Sequence, residues 1–211
     1  MDNMISVQSV TKQFKTQTVL NNVSVDFLRG GIYGLVGRNG SGKTMLMKCI
    51  CGFVPPTSGE IFVQGKQVRY GSQFPQGIGF IIESPGFLGT SSGIKNLKHL
   101  ASINKKIGIN EVREAMKTVG LDPDSRKHVG RYSLGMRQRL GIAQAIMENP
   151  DILILDEPMN GLDNNGVAEM RELFLKLKHS GKTLIIASHN HDDIEVLCDG
   201  VYEMDNGNLI G

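Results

Sequence analysis

The chain has 211 residues, with 23 Lys and Arg against 21 Asp and Glu, a formal charge of +2, and 40% hydrophobic residues. These figures fit one globular domain over residues 1–211 and exclude a disordered, collagenous or disulfide-framed chain. A charge this close to balance gives no dedicated nucleic-acid footprint, and three cysteines, with Cys49 and Cys51 two apart, read as reduced, buried thiols of a cytosolic protein.

In chain order, residues 5–7 and 23–27 alternate apolar and polar with the period of a strand, and residues 32–36 form a compact apolar run that stops at a glycine-rich loop. A helix is predicted after Thr44, closing at Gly52, followed by strands at residues 61–63 and at Val68 and an apolar run at 77–82. Val112, Ala115, Met116 and Val119 mark a helix with Asn110 as its cap and Gly120 past its end. A longer helix is expected from Ser133 to Asn149, ended by Pro150. Residues 152–155 and 184–187 are continuous apolar strands on either side of an amphipathic helix marked by Val167, Met170, Phe174 and Leu177. Such strands belong to a parallel sheet covered on both faces. Residues 201–204 and 208–210 flank Asp205-Asn206-Gly207, a hairpin signal. The start of the sequence does not resemble a signal peptide, and no apolar run approaches the roughly 18 residues of a membrane helix, so any membrane role falls to a partner chain.

Many of the 26 glycines mark turns, but one group carries chemistry. Gly37-Arg38-Asn39-Gly40-Ser41-Gly42-Lys43-Thr44 fits GxxxxGK[ST] between a predicted strand and a predicted helix. There, backbone N–H groups curl around phosphate oxygens, Lys43 reaches the β and γ phosphates, and the Thr44 hydroxyl can ligate Mg²⁺. Asp156 and Glu157 follow directly on the apolar strand at 152–155, where a parallel sheet binds its ligands. Asp156 suits a metal ion and Glu157 suits the polarisation of an attacking water. Ser133, as a cap, and Gly135, as a close-approach glycine, make a second anion-binding helix end, which suggests a nucleotide sandwiched between two copies.

Together with residues 132–140, 152–157, Asn160-Gly161-Leu162-Asp163 and Ala187-Ser188-His189, the phosphate loop resembles, in order and spacing, the ATP-binding subunit of ABC transporters. The resemblance runs from about Ile5 to Gly211. It implies an α/β P-loop NTPase (RecA-like) core, an antiparallel β subdomain within residues 1–75, and a helical subdomain carrying the signature motif over about 88–145. It implies ATP contacts for Phe14, as the aromatic on which adenine stacks, and for Arg38, Asn39, Gly40, Ser41, Gly42, Lys43, Thr44 and Met45. Asp163 takes the D-loop position, and His189 the switch histidine that reads the γ-phosphate. Mg²⁺ falls to Thr44, Asp156 and the residue in the Q-loop position, here Glu83.

Three departures stand out. Tyr132, Leu134 and Met136 replace the usual signature residues, while Ser133 and Gly135 keep the hydroxyl and the glycine N–H. Glu83 replaces a glutamine and, with Asp156 and Glu157, puts three carboxylates around one divalent ion. No further segment follows the final hairpin, as it does in many relatives. The Glu83 substitution and the Tyr-Ser-Leu-Gly-Met run resemble the bacitracin and lantibiotic (antimicrobial peptide) export branch. The expected protein is therefore an ATPase that closes as an ATP-dependent homodimer, or a heterodimer, and drives a transmembrane permease docked near residues 83–87. It would lie in the cytoplasm, peripheral on the inner face of the membrane. Two other readings are a soluble ABC ATPase acting on ribosome or DNA, and an ATP-gated interaction module.

Overall fold

The computed structural model describes residues 3–71 and 74–210; Met1, Asp2, Ser72, Gln73 and Gly211, which fall in the ranges above, lie outside the described residues. The strands in chain order are β1 (Asn3–Phe14), β2 (Gln17–Leu28), β3 (Ile32–Val36), β4 (Ser58–Val63), β5 (Lys66–Gln67), β6 (Ile78–Ile81), β7 (Ile152–Asp156), β8 (Thr183–Ala187), β9 (Gly200–Asp205) and β10 (Asn208–Ile210). The helices are α1 (Lys43–Ile50), α2 (Gly93–Asn104), α3 (Ile109–Thr118), α4 (Leu134–Ile146), α5 (Asn164–His179) and α6 (His191–Leu197).

Two sheets organise these elements. An antiparallel sheet has the order β2-β1-β4-β5, and a six-stranded sheet has the order β10-β9-β3-β8-β7-β6. In the second sheet β9, β3, β8, β7 and β6 run parallel, and β10 folds back on β9 through the expected hairpin. Its central strands are buried on both faces, which is why they read as unbroken apolar runs. Alternate residues of one strand enter different cores. Leu153, Leu155, Leu184 and Ile186 pack among α2 to α5, whereas Ile152, Ile154, Ile185 and Ala187 pack against α1 and the antiparallel sheet. On the first of these faces α4 crosses very close to β6. A Cβ added at Gly79 would lie 1.9 Å from the Ala145 carbonyl oxygen, so glycine is what lets the helix approach.

Several local expectations change. β1 and β2 are longer than the alternation indicated, because their pairing slips between Val7 and Val10 and Ser9 takes a φ of 50°. Val68 lies past the end of β5. The cap of α3 is Gly108, not Asn110: the Glu111 carboxylate reaches back to accept the Gly108 N–H at 2.9 Å, which draws Asn110 into the first turn. Helix α4 ends at Ile146, since Asn149 turns left-handed (φ 50°) ahead of Pro150. Among the described residues no helix is long and apolar enough to cross a membrane.

Candidate functional site

The glycine-rich loop joins β3, in the middle of the six-stranded sheet, to α1. Two of its glycines are required by space as well as by conformation. At Gly37 (φ 143°) an added Cβ would come within 2.2 Å of the Met204 carbonyl oxygen, and at Gly42 (φ 111°) within 2.9 Å of that of Val19. The loop therefore curls so tightly that the Lys43 ammonium folds back over it, donating to the Gly37 carbonyl at 2.7 Å and to that of Arg38 at 3.1 Å. Lys43 is buried, and so is Ser41, whose Oγ has no hydrogen-bond partner among the described residues. An unpaired buried hydroxyl costs about 1–3 kcal/mol, a cost that a phosphate oxygen in the loop would remove.

Beside the loop, Thr44 at the start of α1 donates its hydroxyl to Asp156 Oδ2 at 2.9 Å. This contact brings the first turn of α1 to the C-terminal end of β7, and a hydroxyl plus a carboxylate is an oxygen donor set suited to Mg²⁺. Glu157 comes next. Its N–H donates to the Ala187 carbonyl at 2.9 Å, its Oε2 lies 2.8 Å from His189 Nδ1, and its φ is 50°. A left-handed conformation costs a non-glycine residue on the order of 1–2 kcal/mol, and such strain persists only where its surroundings hold it.

These groups line a cavity of about 800 Å³. Of the residues singled out in the sequence, residues 39–45, Glu83, Leu134, Asp156, Glu157, Asn160 and Gly161 line it. Arg38 contributes its carbonyl to Lys43, and His189 reaches the cavity through Glu157. Phe14 lies outside the lining, half-exposed at the end of β1, with the Lys12 ammonium 4.6 Å above its ring centre. Ser133 caps α4, accepting the Met136 N–H at 3.1 Å, and Asp163 caps α5, accepting the Gly166 N–H at 2.8 Å. Gly135 is packed against the turn after β7, its added Cβ falling 2.7 Å from the Gly161 carbonyl oxygen.

The three-carboxylate site is not assembled. Glu83 (φ 61°) pairs with Lys48 Nζ at 2.6 Å, and its side chain is 65% exposed. Among the described residues no group of three or more His, Cys, Asp and Glu side chains is placed to hold a metal ion. The physical reason is a nearer countercharge: Lys48 lies one helical turn after Thr44 on the same face of α1. That spacing is readable in the sequence. The run of His and Asp after His189 likewise forms no cluster. Asn190 caps α6, and Asp193, buried, is held by Arg171 of α5 through Nε at 2.9 Å and Nη2 at 2.5 Å.

Sequence reasoning also missed Gln138, which lines the cavity from α4 and donates from Nε2 to the Glu157 carbonyl at 3.2 Å. Nothing in the pattern announces that contact, because it joins a helix to the end of a strand 19 residues away.

This geometry defines a nucleotide-phosphate site at the carboxyl end of a parallel sheet, and the ABC transporter family matches the chain over residues 20–160. The chain is 46% identical over 206 residues to the ABC transporter ATP-binding protein YybJ of Bacillus subtilis (strain 168), covering 98% of this chain and 94% of that protein. It is 41% identical over 212 residues to the bacitracin transport ATP-binding protein BcrA of Enterococcus faecalis, covering 100% and 69%. The lantibiotic transport ATP-binding protein SrtF of Streptococcus pyogenes is 36% identical over 209 residues, covering 98% and 89%. Among solved structures, cbiO1 of Clostridium perfringens, part of the ABC transporter complex cbiONQ, matches with a TM-score of 0.83 at 27% identity over 100% of this chain and 88% of that one. A dimeric ATP-binding cassette bound to ADP and phosphate shares the fold with a TM-score of 0.89 at 23% identity, over 99% and 97%. The chain belongs to the ABC transporter family, as an ATP-binding subunit with ATPase activity.

Proposed function

We propose that this chain powers a separate transmembrane permease, acting as one of two copies that close head to tail around two ATP and Mg²⁺. The observation that carries the reading is the meeting of Thr44 with Asp156 at 2.9 Å, one residue from the Glu157–His189 pair. Lys43 and the N–H groups of residues 38–44 bind the phosphates, with Met45 and the Phe14 ring toward the nucleoside. Thr44 and Asp156 hold Mg²⁺, which when bound neutralises charge on the β and γ phosphates. Glu157 accepts a proton from the attacking water, and His189, in contact with that carboxylate, fixes its direction and faces the γ-phosphate. Ser133 and Gly135 act on the nucleotide of the other copy, as the exposed Leu134 between them suggests for that end of α4. Asp163, already the cap of α5, takes the D-loop place between the two sites.

Both Glu157 and His189 are present, so each site of a homodimer is complete; a heterodimer is the alternative. The permease docks near Glu83 and the segment 84–87 that follows it, which places the chain on the inner face of the cell membrane, peripheral to it. The antiparallel sheet and helices α2 to α4 are arms of one ATP-binding domain over residues 1–211. For cargo we favour an exported antimicrobial peptide or a related compound, since relatives at 41% and 36% identity carry bacitracin and lantibiotic transport in their names.

The test is Glu157→Gln. Turnover should fall by about 10² to 10⁴ while ATP stays bound, so that the closed dimer accumulates and is seen by light scattering with saturating ATP and Mg²⁺. A variant that hydrolyses ATP at the parental rate removes Glu157 as the base, and one that stays monomeric removes the sandwich for the isolated subunit.

A further inference from the structure

We propose that Gln138 is a positioning residue for hydrolysis, holding the backbone of Glu157 and tying the base of this chain's own site to the helix that serves the site across the dimer. The inference rests on the reading of Glu157 as general base.

Glu157 is in a conformation that it would leave if it were free, with a φ of 50° and Pro158 restricting its other torsion. Three hydrogen bonds keep it there. Its N–H donates to the Ala187 carbonyl at 2.9 Å, and its own carbonyl accepts the Asn160 N–H at 3.2 Å and the Gln138 amide at 3.2 Å. The first is an extension of the sheet and the second closes a turn within the same loop. Only the third comes from another element through a side chain, and that side chain is buried, at 8% exposure for the residue. The direction of the Glu157 Cα–Cβ bond, and so the place of its carboxylate 2.8 Å from His189, follows from the backbone that these bonds fix.

Gln138 also stands in a telling place along α4. It lies little more than one turn after the Ser133 cap, on a helix whose first turn presses on the loop leaving Glu157, with Gly135 against the Gly161 carbonyl. When that first turn engages the partner copy's nucleotide, a shift of α4 moves the amide that holds Glu157. Closure at one site is thereby felt by the base of the other.

The purified full chain, assayed with ATP and Mg²⁺, tests this. Gln138→Met keeps the length and burial of the side chain and removes the donor; it should lower kcat about three- to tenfold, the scale of one hydrogen bond, with ATP affinity by titration within about twofold of the parent. Gln138→Glu keeps the shape, presents an acceptor to the carbonyl, and should lower kcat at least as far; it serves also if the methionine variant does not fold. The deciding measurement is the same substitution in a Glu157→Gln background, read as a single-turnover rate. Since the carboxylate being placed is already gone, Gln138→Met should change that residual rate less than about twofold. Parental kcat in both Gln138 variants, or an equal fold loss in the two backgrounds, overturns the proposal and leaves Gln138 a packing residue. If Glu157→Gln itself keeps parental kcat, the base assignment fails and takes this inference with it; if Glu157→Gln is slow and the Gln138 variants are fast, only the inference fails.

Discussion

Lys43 has its ammonium shared between the carbonyls of Gly37 and Arg38, inside a loop where Gly37 and Gly42 have no room for a side chain. Among the described residues Lys43 is the one buried cation in the cavity lining, and a charge-assisted hydrogen bond from it to phosphate would be worth roughly 1.5–3 kcal/mol. Lys43→Ala is therefore expected to weaken ATP binding at least about tenfold, with the fold intact, and calorimetry with circular dichroism checks both parts. Residues of this kind were legible in the sequence because backbone geometry dictates them: only glycine permits the loop, and only a short side chain ending in oxygen at Thr44 meets Asp156. The place of Glu83 was less legible, because a flexible side chain settles on a nearby countercharge, here Lys48 at 2.6 Å. At 65% exposure the pair adds little to stability, so its presence says where Glu83 rests and not what it is worth.

At the level of elements, the apolar runs of β3, β7 and β8 gave the parallel sheet directly, since strands covered on both faces need no alternation. Helix α2 falls inside the helical subdomain expected over about 88–145, with Ile94, Leu97, Leu100 and Ala101 at helical spacing, whereas the full length of β1 was not legible because its bulges interrupt the period of two. One tie between elements was also invisible. Asp199, between α6 and β9, accepts the Ile32 N–H at the head of β3 at 2.8 Å and pairs with Lys178 of α5. Partial burial acts to raise its pKa, but the Lys178 and Ile32 donors outweigh that and hold the carboxyl below its ordinary range. A depressed carboxyl contributes stability above its unfolded pKa of about 4 and loses it as the pH falls through the folded value. Asp199→Asn should thus be less stable than the parent at pH 7, by no more than about 1 kcal/mol because the carboxylate is 43% exposed and screened. Urea denaturation should show the two proteins converging as the pH is taken below about 4.

Over the whole molecule, the six-stranded sheet separates two cores, and each holds thiols. Cys49 and Cys51 are buried between α1 and the antiparallel sheet, while Cys198 packs against the helical side. Burial pushes Cys49 up to about 11 and Cys198 up to about 12, and raises Cys51 as well. A thiol so far from ionisation is a poor nucleophile. With a chromogenic disulfide reagent at pH 8 the native protein should show no fast phase, and all three thiols should appear together on unfolding; a prompt reaction of Cys198 alone would mean that the helical side opens by itself. The strand order has a further result, in time and not in space. β3, which ends in the phosphate loop, has as its sheet neighbours β8 and β9, and neither exists before Thr183 has been added to the chain. On the ribosome the ATP-gripping loop is synthesised early but left without a frame for some 140 residues of further growth, and pairings so distant in sequence form slowly. A chain that ends anywhere before β8 is therefore expected to lack the frame of its phosphate loop and to bind no ATP, which calorimetry on a fragment ending before Thr183 checks.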